Sequence, residues 1–278
     1  MKKPTNLREA LKNKLTKKEK ESLITSFDVV GDIALIQISD KLKKKERVIA
    51  ETLLKLYKNI NVVIKEIGGH KGIYRIQKVK VLAGESRKET EYRESGVRMR
   101  FNVEKTYFSP RYGTERLRVA NLVKKGEDVL VMFSGVGPFC LVIARNAEPR
   151  VVYGIEINPL AHKYGVENVK LNKLEDKVKL FKGDVRKVVP GIRKKFDRVL
   201  MPLPKGGENF LGVALSAVKK NGMIHFYDFL HQDEFDKAKE KVKKACKESK
   251  KKCRILRLVK CGQQSPRVYR VCVDFKIV

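Results

Sequence analysis

The feature that most constrains the fold is a regular alternation of apolar runs and helix-like segments, which begins near Thr114. Short runs rich in Val, Ile, Leu and Met alternate there with longer segments whose apolar residues recur every three or four positions. Strands buried on both faces have continuous apolar runs, and strands that alternate with helices build βαβ units. The alternation therefore predicts an α/β domain with a parallel sheet.

Seven strands can be placed in this domain. Five parallel strands are predicted at DVLVMF, VVYGIEI, VKLFKGD, FDRVLMPLP and MIHFYDFL, and RILRLVKCG with RVYRVCVDFKIV is predicted as a closing antiparallel pair. A helix is expected over residues 209–222, ended by Gly222. This order is the one expected of a class I, Rossmann-like S-adenosylmethionine-dependent methyltransferase sheet. The predicted fold class is α/β, with this sheet and a smaller N-terminal α+β domain.

The first hundred residues lack this alternation and predict a compact α+β unit. Two short strands are expected around Gly31, a helix over residues 45–56, and further strands from residue 61 onward. Residues 7–24 carry leucines at helical spacing inside a very basic sequence, which favours a solvated helical arm. We assign residues 1–97 to the N-terminal domain and residues 98–278 to the α/β domain.

The charge of the chain indicates its class of partner. It has 63 Lys and Arg against 32 Asp and Glu residues, a formal charge of +31 at pH 7. Such an excess suits a strongly negative partner, so we expect the N-terminal domain to contact RNA.

The sequence has no apolar run near the roughly 20 residues of a membrane span, which excludes a membrane protein. Its start lacks the apolar stretch of a secretory signal, which predicts a cytoplasmic location. Five cysteines without a CxxC pair indicate reduced thiols rather than a disulfide framework or a zinc site.

A Gly-x-Gly motif lies directly after the first predicted parallel strand, in Phe133-Ser-Gly-Val-Gly-Pro-Phe139. Glycines here let the backbone approach a ligand closely, while the next helix presents free N–H groups. Glu156 follows 21 residues after Gly135, at the end of the second strand, where a carboxylate can accept hydrogen bonds from a ribose. Cys140 occupies the place of the third glycine of a dinucleotide fingerprint, which argues against NAD.

A second acid, Asp184, follows the third strand in a Gly-Asp pair, where its side chain could meet an adenine amino group. Aspartate is also a favoured helix N-cap, so a purely structural role stays open. Asn168 and Asn172, four residues apart on the preceding helix, are interpreted as caps or surface residues. Taken in order, the Gly-x-Gly motif, Glu156 and Asp184 predict a binding site for S-adenosylmethionine.

The sequence resembles a known family in six segments. They are FSPRYGTERLRVANLV, VMFSGVGPF, IEINPLAHKYGVENVKLNKLEDKV, GDVRKV, RVLMPLPKGGENFL and the stretch from Ser265-Pro266 to Asp274-Phe275. Together they look like the archaeal and eukaryotic type of tRNA (guanine 37-N1)-methyltransferase, over about residues 73–278. The neighbouring family of wybutosine-pathway aminocarboxypropyl transferases shares the fold and uses the same cofactor differently. The resemblance implies an S-adenosylmethionine-dependent enzyme that methylates N1 of guanosine 37 in tRNA, and we expect it to be a monomer.

The resemblance also implies roles for individual residues. The catalytic acid would be Glu115, and the arginine of the smaller domain would be Arg75 in Gly-Ile-Tyr-Arg. A carboxylate that removes the N1 proton makes a nucleophile, and a guanidinium at the guanine carbonyl stabilises the charge that develops there. Cofactor contacts are implied for Phe133, Gly135, Gly137, Glu156 and Asp184. Substrate contacts are expected at Arg111, Tyr112, Pro202 and Lys205, and no metal is required.

Two positions depart from the family's pattern. Pro202 stands where the family often has Asn, so a side-chain amide contact to the base is absent, and Val131 stands where the family usually has Asp. Three functions stay open: N1 methylation, aminocarboxypropyl transfer to a tricyclic guanosine derivative, and RNA binding without catalysis on a methyltransferase fold. At the level of single residues, Glu115 could be an ordinary first-turn helix acid and Arg75 a phosphate contact.

Overall fold

The computed structural model describes residues 4–278, so residues 1–3 of the predicted N-terminal domain lie outside the described residues. The chain divides into two compact units. The first contains the residues up to Arg93 together with Arg100–Pro110, and the second contains Glu94–Met99 and Arg111–Val278. Among residues 4–278, no helix has both the length and the apolar character that a bilayer crossing requires.

The first unit is built around a four-stranded sheet. Its helices and strands are α1 (Leu7–Ala10), α2 (Lys17–Glu21), β1 (Phe27–Val30), β2 (Ile33–Ile36), α3 (Glu46–Leu56), β3 (Val62–Lys71) and β4 (Ile76–Gly84), followed by the hairpin strands β5 (Glu89–Glu94) and β6 (Val97–Asn102), which contain residues of both units. The sheet order is β1-β2-β3-β4, with β2 and β3 parallel and the other pairs antiparallel. The strands predicted around Gly31 and the helix predicted over residues 45–56 are confirmed.

The solvated arm predicted for residues 7–24 is wrong. Leu7, Leu11, Leu15 and Leu23 are at most 7% exposed and belong to an apolar core of the first unit, together with residues of α3. The first three leucines recur every four residues, so short helical turns bring them onto one face. Burial of one leucine side chain is worth about 2 kcal/mol, so the segment packs on its leucines, while Lys12, Lys14 and Lys17 stay exposed.

The turn between β1 and β2 holds a carboxylate in a polar cluster. Gly31 turns the chain with a φ of +61°. The Asp32 carboxylate accepts hydrogen bonds at 2.8–3.0 Å from three side chains, those of Thr90, Asn61 and Arg87. The hydrogen bond from the Arg87 guanidinium is the main cause that lowers the pKa of Asp32 to about 2, against the opposing effect of partial burial. The turn is therefore fixed by an ionised side chain.

The second unit contains a seven-stranded sheet. Its helices and strands are α4 (Gly113–Ala120), β7 (Asp128–Met132), α5 (Pro138–Asn146), β8 (Val151–Glu156), α6 (Pro159–Leu171), β9 (Val178–Lys182), α7 (Val185–Ile192), β10 (Phe196–Met201), α8 (Leu211–Ala217), β11 (Val218–His231), α9 (Asp236–Glu248), β12 (Cys253–Ser265) and β13 (Val268–Ile277). The order is β12-β13-β11-β10-β7-β8-β9. Within this sheet β13 runs opposite to the other six strands, so its pairs with β11 and β12 are antiparallel and the remaining pairs are parallel. The sheet of five parallel strands with a closing antiparallel pair is confirmed.

The helix predicted over residues 209–222 is shorter than expected. α8 ends at Ala217, and Val218 already pairs with Phe196 as the first residue of β11. The apolar spacing continues a helix through this point, but Val218 is β-branched and only 2% exposed, and it packs in the sheet. Gly222 therefore lies within a strand, beside a register shift in the pairing with β10, and does not end a helix.

The two faces of β11 and β13 differ in chemistry. Successive side chains of a strand point to opposite faces. Val271, Val273 and Phe275 enter an apolar core with residues of α7, α8 and α9. The opposite face carries a set of side chains that are at most 5% exposed: His225, Tyr227, Arg270, Cys272 and Asp274. This buried polar face packs against α4 and carries the side chains that meet Glu115.

Candidate active site

The predicted glycine loop connects β7 to α5 at the carboxyl edge of the sheet. Gly137 is the N-cap of α5 and has a φ of +93°, a conformation that a side chain would strain. The loop also passes close to α6, because a Cβ on Gly165 would lie 3.5 Å from the carbonyl oxygen of Gly135. Phe133 packs edge-on against Phe210, with 5.0 Å between ring centroids. The loop therefore presents bare backbone and the start of a helix, which suits close approach of a ligand.

Glu156 stands next to this loop, as the sequence spacing predicted. It ends β8 and is 8% exposed. The backbone amides of Gly135 and Asn158 donate to its two carboxylate oxygens, each at 2.7 Å. Burial raises the pKa of Glu156, and the amide hydrogen bonds offset part of this increase. The structure brings Gly135 and Glu156 together, while contact of Glu156 with a ribose stays a prediction.

Asp184 is the N-cap of α7. Its carboxylate accepts a hydrogen bond from the Arg186 amide at 2.8 Å and forms an ion pair with the Arg186 guanidinium, which lowers the pKa of Asp184. The preceding residue, Gly183, donates its amide to the carbonyl of Glu156 at 2.8 Å, so Asp184 lies at the same edge of the sheet as Glu156. Asp184 therefore does cap a helix, as the alternative interpretation held, and its contact with adenine stays a prediction.

Glu115 lies in the first turn of α4 and is 4% exposed. The hydroxyl of Tyr227 on β11 donates to its Oε1 at 2.6 Å. Arg118 donates from Nε to Oε2 at 2.6 Å and from Nη2 to Oε1 at 2.7 Å. The contact with Tyr227 of β11 distinguishes Glu115 from a solvated acid that only complements a helix dipole. The site holds a buried carboxylate in one orientation, which is the geometry that proton abstraction requires.

Sequence reasoning missed the side chains that hold Glu115. Arg118 also donates from Nη1 to Oδ2 of Asp274 at 2.7 Å. The signal in the sequence was a polar residue inside an otherwise apolar strand: Asp274 interrupts RVCVDFKIV, and Tyr227 lies within MIHFYDFL. A charged residue is almost never fully buried without a partner, so such an interruption indicates a buried polar contact.

The short 3-10 helix Pro110–Tyr112 precedes α4. Arg111 is exposed, whereas Tyr112 is 4% exposed. The Arg270 guanidinium lies 3.5 Å from the centroid of the Tyr112 ring, and Phe139 packs at 6.0 Å. The Tyr112 ring is therefore covered in this structure, and stacking on an extruded base would require one face to be uncovered. The substrate contacts of Arg111 and Tyr112 stay predictions.

The loop after β10 carries Pro202 and Lys205. Pro202 is half-buried and Lys205 is exposed. The Pro204 carbonyl accepts a hydrogen bond from the Phe229 amide at 3.2 Å, which fixes the loop to β11. The loop thus lies beside the strand that carries Tyr227, and the substrate contacts of Pro202 and Lys205 stay predictions.

Arg75 belongs to the first unit, in the loop that joins β3 to β4. Its φ is +52°, and its amide donates to the carbonyl of Gly72 at 3.2 Å. The neighbouring side chains Ile73 and Tyr74 are 74% and 38% exposed. The role of Arg75 at the guanine carbonyl stays a prediction.

Cys140, at the place of the missing third glycine, packs against a glycine of the neighbouring strand. Cys140 is fully buried, and a Cβ on Gly154 would lie 2.8 Å from its Sγ and 2.5 Å from Cδ2 of Leu180. Gly154 therefore supplies the close packing of helix on strand that the third glycine supplies in a dinucleotide fingerprint. Burial raises the pKa of Cys140 to about 12, so the thiol stays neutral. Sequence reasoning missed Gly154, although a glycine inside an apolar strand signals close approach.

Of the two asparagines interpreted as caps or surface residues, Asn172 is confirmed as a cap and Asn168 needs correction. Asn168 is neither a cap nor a surface residue: it is fully buried, and its Nδ2 donates to the Val136 carbonyl of the glycine loop at 3.1 Å. Asn172 is the C-cap of α6 but is only 6% exposed, and its side chain bonds both the amide and the carbonyl of Arg98. A side-chain amide offers donors and an acceptor, which lets it satisfy backbone groups that are buried beside it.

One group of side chains has the composition of a metal site. Ligand atoms of three buried residues lie within 4.8 Å of one another: His225, Cys272 and Asp274. Arg118 and Arg257 donate to Asp274, and Arg198 contacts His225 at 2.8 Å. Three guanidinium groups next to these ligand atoms oppose a further cation. The group is therefore better described as a hydrogen-bonded network than as a metal centre.

Comparison with known sequences gives the following similarities. The family described as TRM5/TYW2 methyltransferase domain matches residues 90–256, and the one described as TYW2 N-terminal domain matches residues 7–88. The chain is 38% identical over 256 residues to tRNA (guanine(37)-N(1))-methyltransferase Trm5b of Pyrococcus abyssi, covering 92% of this chain and 76% of that relative. It is 33% identical over 261 residues to tRNA 4-demethylwyosine(37)-methyltransferase Taw21 of Saccharolobus solfataricus, covering 93% of this chain and 96% of that relative.

Solved structures of similar proteins share the fold. The complex of aTrm5 and tRNALeu has a TM-score of 0.88 at 38% identity and covers 100% of this chain and 79% of that chain. The crystal structure of Trm5b from Pyrococcus abyssi has a TM-score of 0.89 at 35% identity and covers 100% of this chain and 82% of that chain. The structure of P. horikoshii TYW2 in complex with MeSAdo has a TM-score of 0.79 at 28% identity and covers 98% of this chain and 97% of that chain.

Proposed function

The chain belongs to the TRM5/TYW2 methyltransferase family, and we propose that it is a tRNA (guanine 37-N1)-methyltransferase that uses S-adenosylmethionine. The observation that carries this proposal is the buried carboxylate of Glu115, which Tyr227 and Arg118 hold in one orientation. Similarity to Trm5b enzymes over nearly the whole chain supports the same activity. The partner is tRNA, which agrees with the formal charge of +31.

The glycine loop fits the adenosyl part of the cofactor. Gly135 and Gly137 add no side chains to the loop, and their positive φ values give it a shape that other residues would strain. Glu156 lies directly beside the loop and would accept hydrogen bonds from the ribose, while Asp184 would hold the adenine amino group. When bound, S-adenosylmethionine supplies a methyl group on a positively charged sulfur, which leaves as a neutral thioether.

The chain's own residues then move one proton. N1 of guanine is protonated at neutral pH, and its proton passes to a carboxylate oxygen of Glu115 as N1 bonds to the methyl carbon. Negative charge develops at the guanine carbonyl in the same step. We assign its stabilisation to Arg75, because a guanidinium there interacts more strongly with the transition state than with the ground state.

Exposed cations and rings complete the proposal on the tRNA side. Arg111 and Lys205 would contact the substrate from two loops of the second unit, and Pro202 would line the base pocket through its backbone carbonyl. Tyr112 would stack on the target base once its face is uncovered. These contacts position the nucleotide, whereas the identity of the base is read where proton removal takes place.

The test is methyl transfer to unmodified tRNA transcripts, followed by mass spectrometry of the nucleosides. We expect N1-methylguanosine at position 37, and none when adenosine replaces that guanosine. Glu115→Gln should lower the single-turnover rate at least about 100-fold, because the amide cannot accept the proton. Its affinity for S-adenosylhomocysteine, measured by calorimetry, should stay within about twofold of the wild type.

Each outcome separates the candidate functions. If the wild-type protein does not bind S-adenosylhomocysteine and does not methylate tRNA, RNA binding without catalysis is the one candidate function that remains. An aminocarboxypropyl product, recognised by its larger mass, would replace methyl transfer. A Glu115→Gln rate equal to the wild-type rate would contradict the assignment of the base while leaving the activity standing.

A second candidate function is methylation of 4-demethylwyosine at the same tRNA position. One finding favours it: the similarity to tRNA 4-demethylwyosine(37)-methyltransferase Taw21 covers 96% of that relative's length. Competition between tRNA with guanosine 37 and tRNA with the tricyclic base distinguishes the two substrates. The monomeric state and the cytoplasmic location stay predictions.

A further inference from the structure

A chain of buried polar side chains runs from Glu115 across the polar face of β11 and β13. We propose that Asp274 and His225 are positioning residues for Glu115, which fix Arg118 and take up part of its charge so that Glu115 stays available as a proton acceptor. This inference rests on the proposed methyltransferase function with Glu115 as its base.

Arg118 is the centre of the network because it contacts two carboxylates at once. Its Nε and Nη2 donate to Glu115 at 2.6 and 2.7 Å. Its Nη1 and Nη2 donate to Asp274 at 2.7 and 3.3 Å. The guanidinium is planar, and its N–H groups form a rigid fork. The position of Asp274 therefore determines the plane in which Arg118 meets Glu115.

His225 holds Asp274 in place, and its proton can be located from its neighbours. Nε2 of His225 lies 2.8 Å from Nη1 of Arg198, and a guanidinium has only donors, so Nε2 accepts. The proton is therefore on Nδ1, which donates to Oδ1 of Asp274 at 2.6 Å. Burial lowers the pKa of His225, which agrees with a neutral ring. Arg198 is itself anchored by Glu127 at 2.8 and 3.0 Å.

Asp274 carries the charge that balances Arg118. Burial raises the pKa of Asp274, but the hydrogen bonds from His225 and Arg118 outweigh this effect and hold its pKa well below the ordinary value. Arg257, whose side chain is 46% exposed, also donates to Asp274 at 2.7 Å. The carboxylate is thus ionised, and it stays ionised in the pH range in which the enzyme is assayed.

The balance matters because opposite charges stabilise each other strongly away from water. A guanidinium that faced Glu115 alone would favour its ionised form and make it a weaker proton acceptor. With Asp274 on its other side, Arg118 shares its charge between two carboxylates. When Glu115 takes up the proton, Arg118 and Asp274 remain as a neutral pair, so no buried cation is left without a partner.

The other groups that face Glu115 contribute no charge. Tyr227 donates its hydroxyl to Glu115, and burial raises the pKa of Tyr227 well above its ordinary value. Cys272 lies on the same face of β13, and burial likewise raises its pKa. Cys261 of β12 is a buried thiol near Tyr227. Arg118 is therefore the charged group shown in contact with Glu115, Asp274 balances it, and Arg257 of β12 contacts Asp274 in turn.

The test is the pH dependence of single-turnover methyl transfer in Asp274→Asn, which keeps the shape of the side chain and removes its charge. We expect the rate at pH 7 to fall about 10-fold or more and the acid limb of the profile to move to lower pH by about one unit. Affinities for tRNA and S-adenosylhomocysteine should stay within about twofold. Arg257→Gln is the comparison variant: Arg257 contacts Asp274 and its side chain is 46% exposed, so its acid limb should move by less than that of Asp274→Asn and in the opposite direction.

A second variant covers the case in which Asp274→Asn fails to fold. Arg118→Gln removes the opposite charge, and its acid limb should move to higher pH. Acid limbs that coincide with the wild type in the folded variants would overturn the inference while leaving the methyltransferase function intact. A wild-type protein without methyl transfer would instead contradict the proposed function, and the inference would fall with it.

Discussion

Two buried arginines of the second unit differ in what their guanidinium groups contact: one pairs with a carboxylate and the other stacks on an aromatic ring. Arg116 on α4 is 2% exposed, and its Nη2 donates to Oε2 of Glu94 at 2.6 Å. Arg270 on β13 is 5% exposed, its guanidinium stacks on Tyr112, and its Nε has no hydrogen-bond partner among the described residues. Removal of Arg116 would leave a buried carboxylate without its cation, whereas removal of Arg270 would leave no charge behind.

We therefore expect Arg116→Met to lower the free energy of unfolding by about 3 kcal/mol. Arg270→Met should change it by less than about 1 kcal/mol, because it loses mainly the contact with the Tyr112 ring. Urea unfolding of both variants, followed by circular dichroism, measures the difference. Equal losses in the two variants would contradict this distinction between a paired and a stacked guanidinium.

The sequence predicted those parts of the candidate site that depend on short, fixed spacings. Gly135 and Glu156 meet because consecutive strands of a parallel sheet end at the same edge. The residues that hold the base could not be found in this way. Tyr227 lies 112 residues after Glu115, and Asp274 lies 156 residues after Arg118. Contacts at such separations depend on how strands are ordered in the sheet, which local patterns do not reveal.

At the scale of elements, the packing of α5 on β8 depends on a glycine. A Cβ on Gly154 would lie 2.8 Å from Sγ of Cys140 and 3.0 Å from Cβ of Ser134, next to the glycine loop. Added volume at this point must displace the Leu180 side chain at 2.5 Å together with the helix or the loop, since close-packed interiors tolerate little extra volume.

Gly154→Ala should therefore lower the free energy of unfolding by about 2 kcal/mol and weaken S-adenosylhomocysteine binding at least about fivefold. The double variant Cys140→Ala/Gly154→Ala should recover part of both losses, because it removes the sulfur that the new methyl group meets. Denaturant unfolding and calorimetry measure the two effects. A double variant that is worse than the sum of the single variants would contradict this account.

The turn between β1 and β2 makes the stability of the first unit depend on pH. The pKa of Asp32 is about 2 in the folded chain, below its ordinary value of 3.8, mainly because Arg87 donates to it. A depressed carboxylate pKa contributes stability that is complete above the ordinary value and is lost as pH falls toward the folded value.

Asp32→Asn should lower the free energy of unfolding by about 1 to 2 kcal/mol near neutral pH, a value reduced for the partial exposure of the pair. The difference from the wild type should stay constant above about pH 4 and shrink between about pH 4 and pH 2. Denaturant unfolding across this pH range measures it. A difference that is independent of pH would show that the Asp32 charge does not stabilise the turn.

Secondary structure followed from the sequence wherever periodicity and burial agreed. The apolar runs of the second unit form strands in the predicted order along the chain, and those of β7, β8 and β10 are largely buried. The predictions for residues 7–24 and for the end of α8 failed for a shared reason. Charge and helical spacing dominated the sequence pattern, whereas burial of Leu11 and Val218 against distant residues determined the structure. Local propensity is a weak guide where tertiary packing opposes it.

At the scale of the whole molecule, the dominant property is the excess of positive charge. Each phosphate that a Lys or Arg neutralises releases counterions from tRNA, so affinity falls with salt. We expect tRNA binding to weaken at least about 10-fold between about 50 and 200 mM salt. S-adenosylhomocysteine binding serves as the internal control and should change less than about twofold. Filter binding and calorimetry at matched salt concentrations test this, and parallel losses for both ligands would contradict it.

The position of β13 has a consequence for biosynthesis. This strand lies between β11 and β12, although it follows both in the chain. Asp274 leaves the ribosome 156 residues after Arg118, about 8 to 30 seconds later at ordinary elongation rates. A nascent chain without β13 has two unpaired inner strand edges and a guanidinium that lacks its second carboxylate. We therefore expect translation that stalls before Val268 to yield an aggregation-prone product, because insertion of the last strand is the step that closes the sheet.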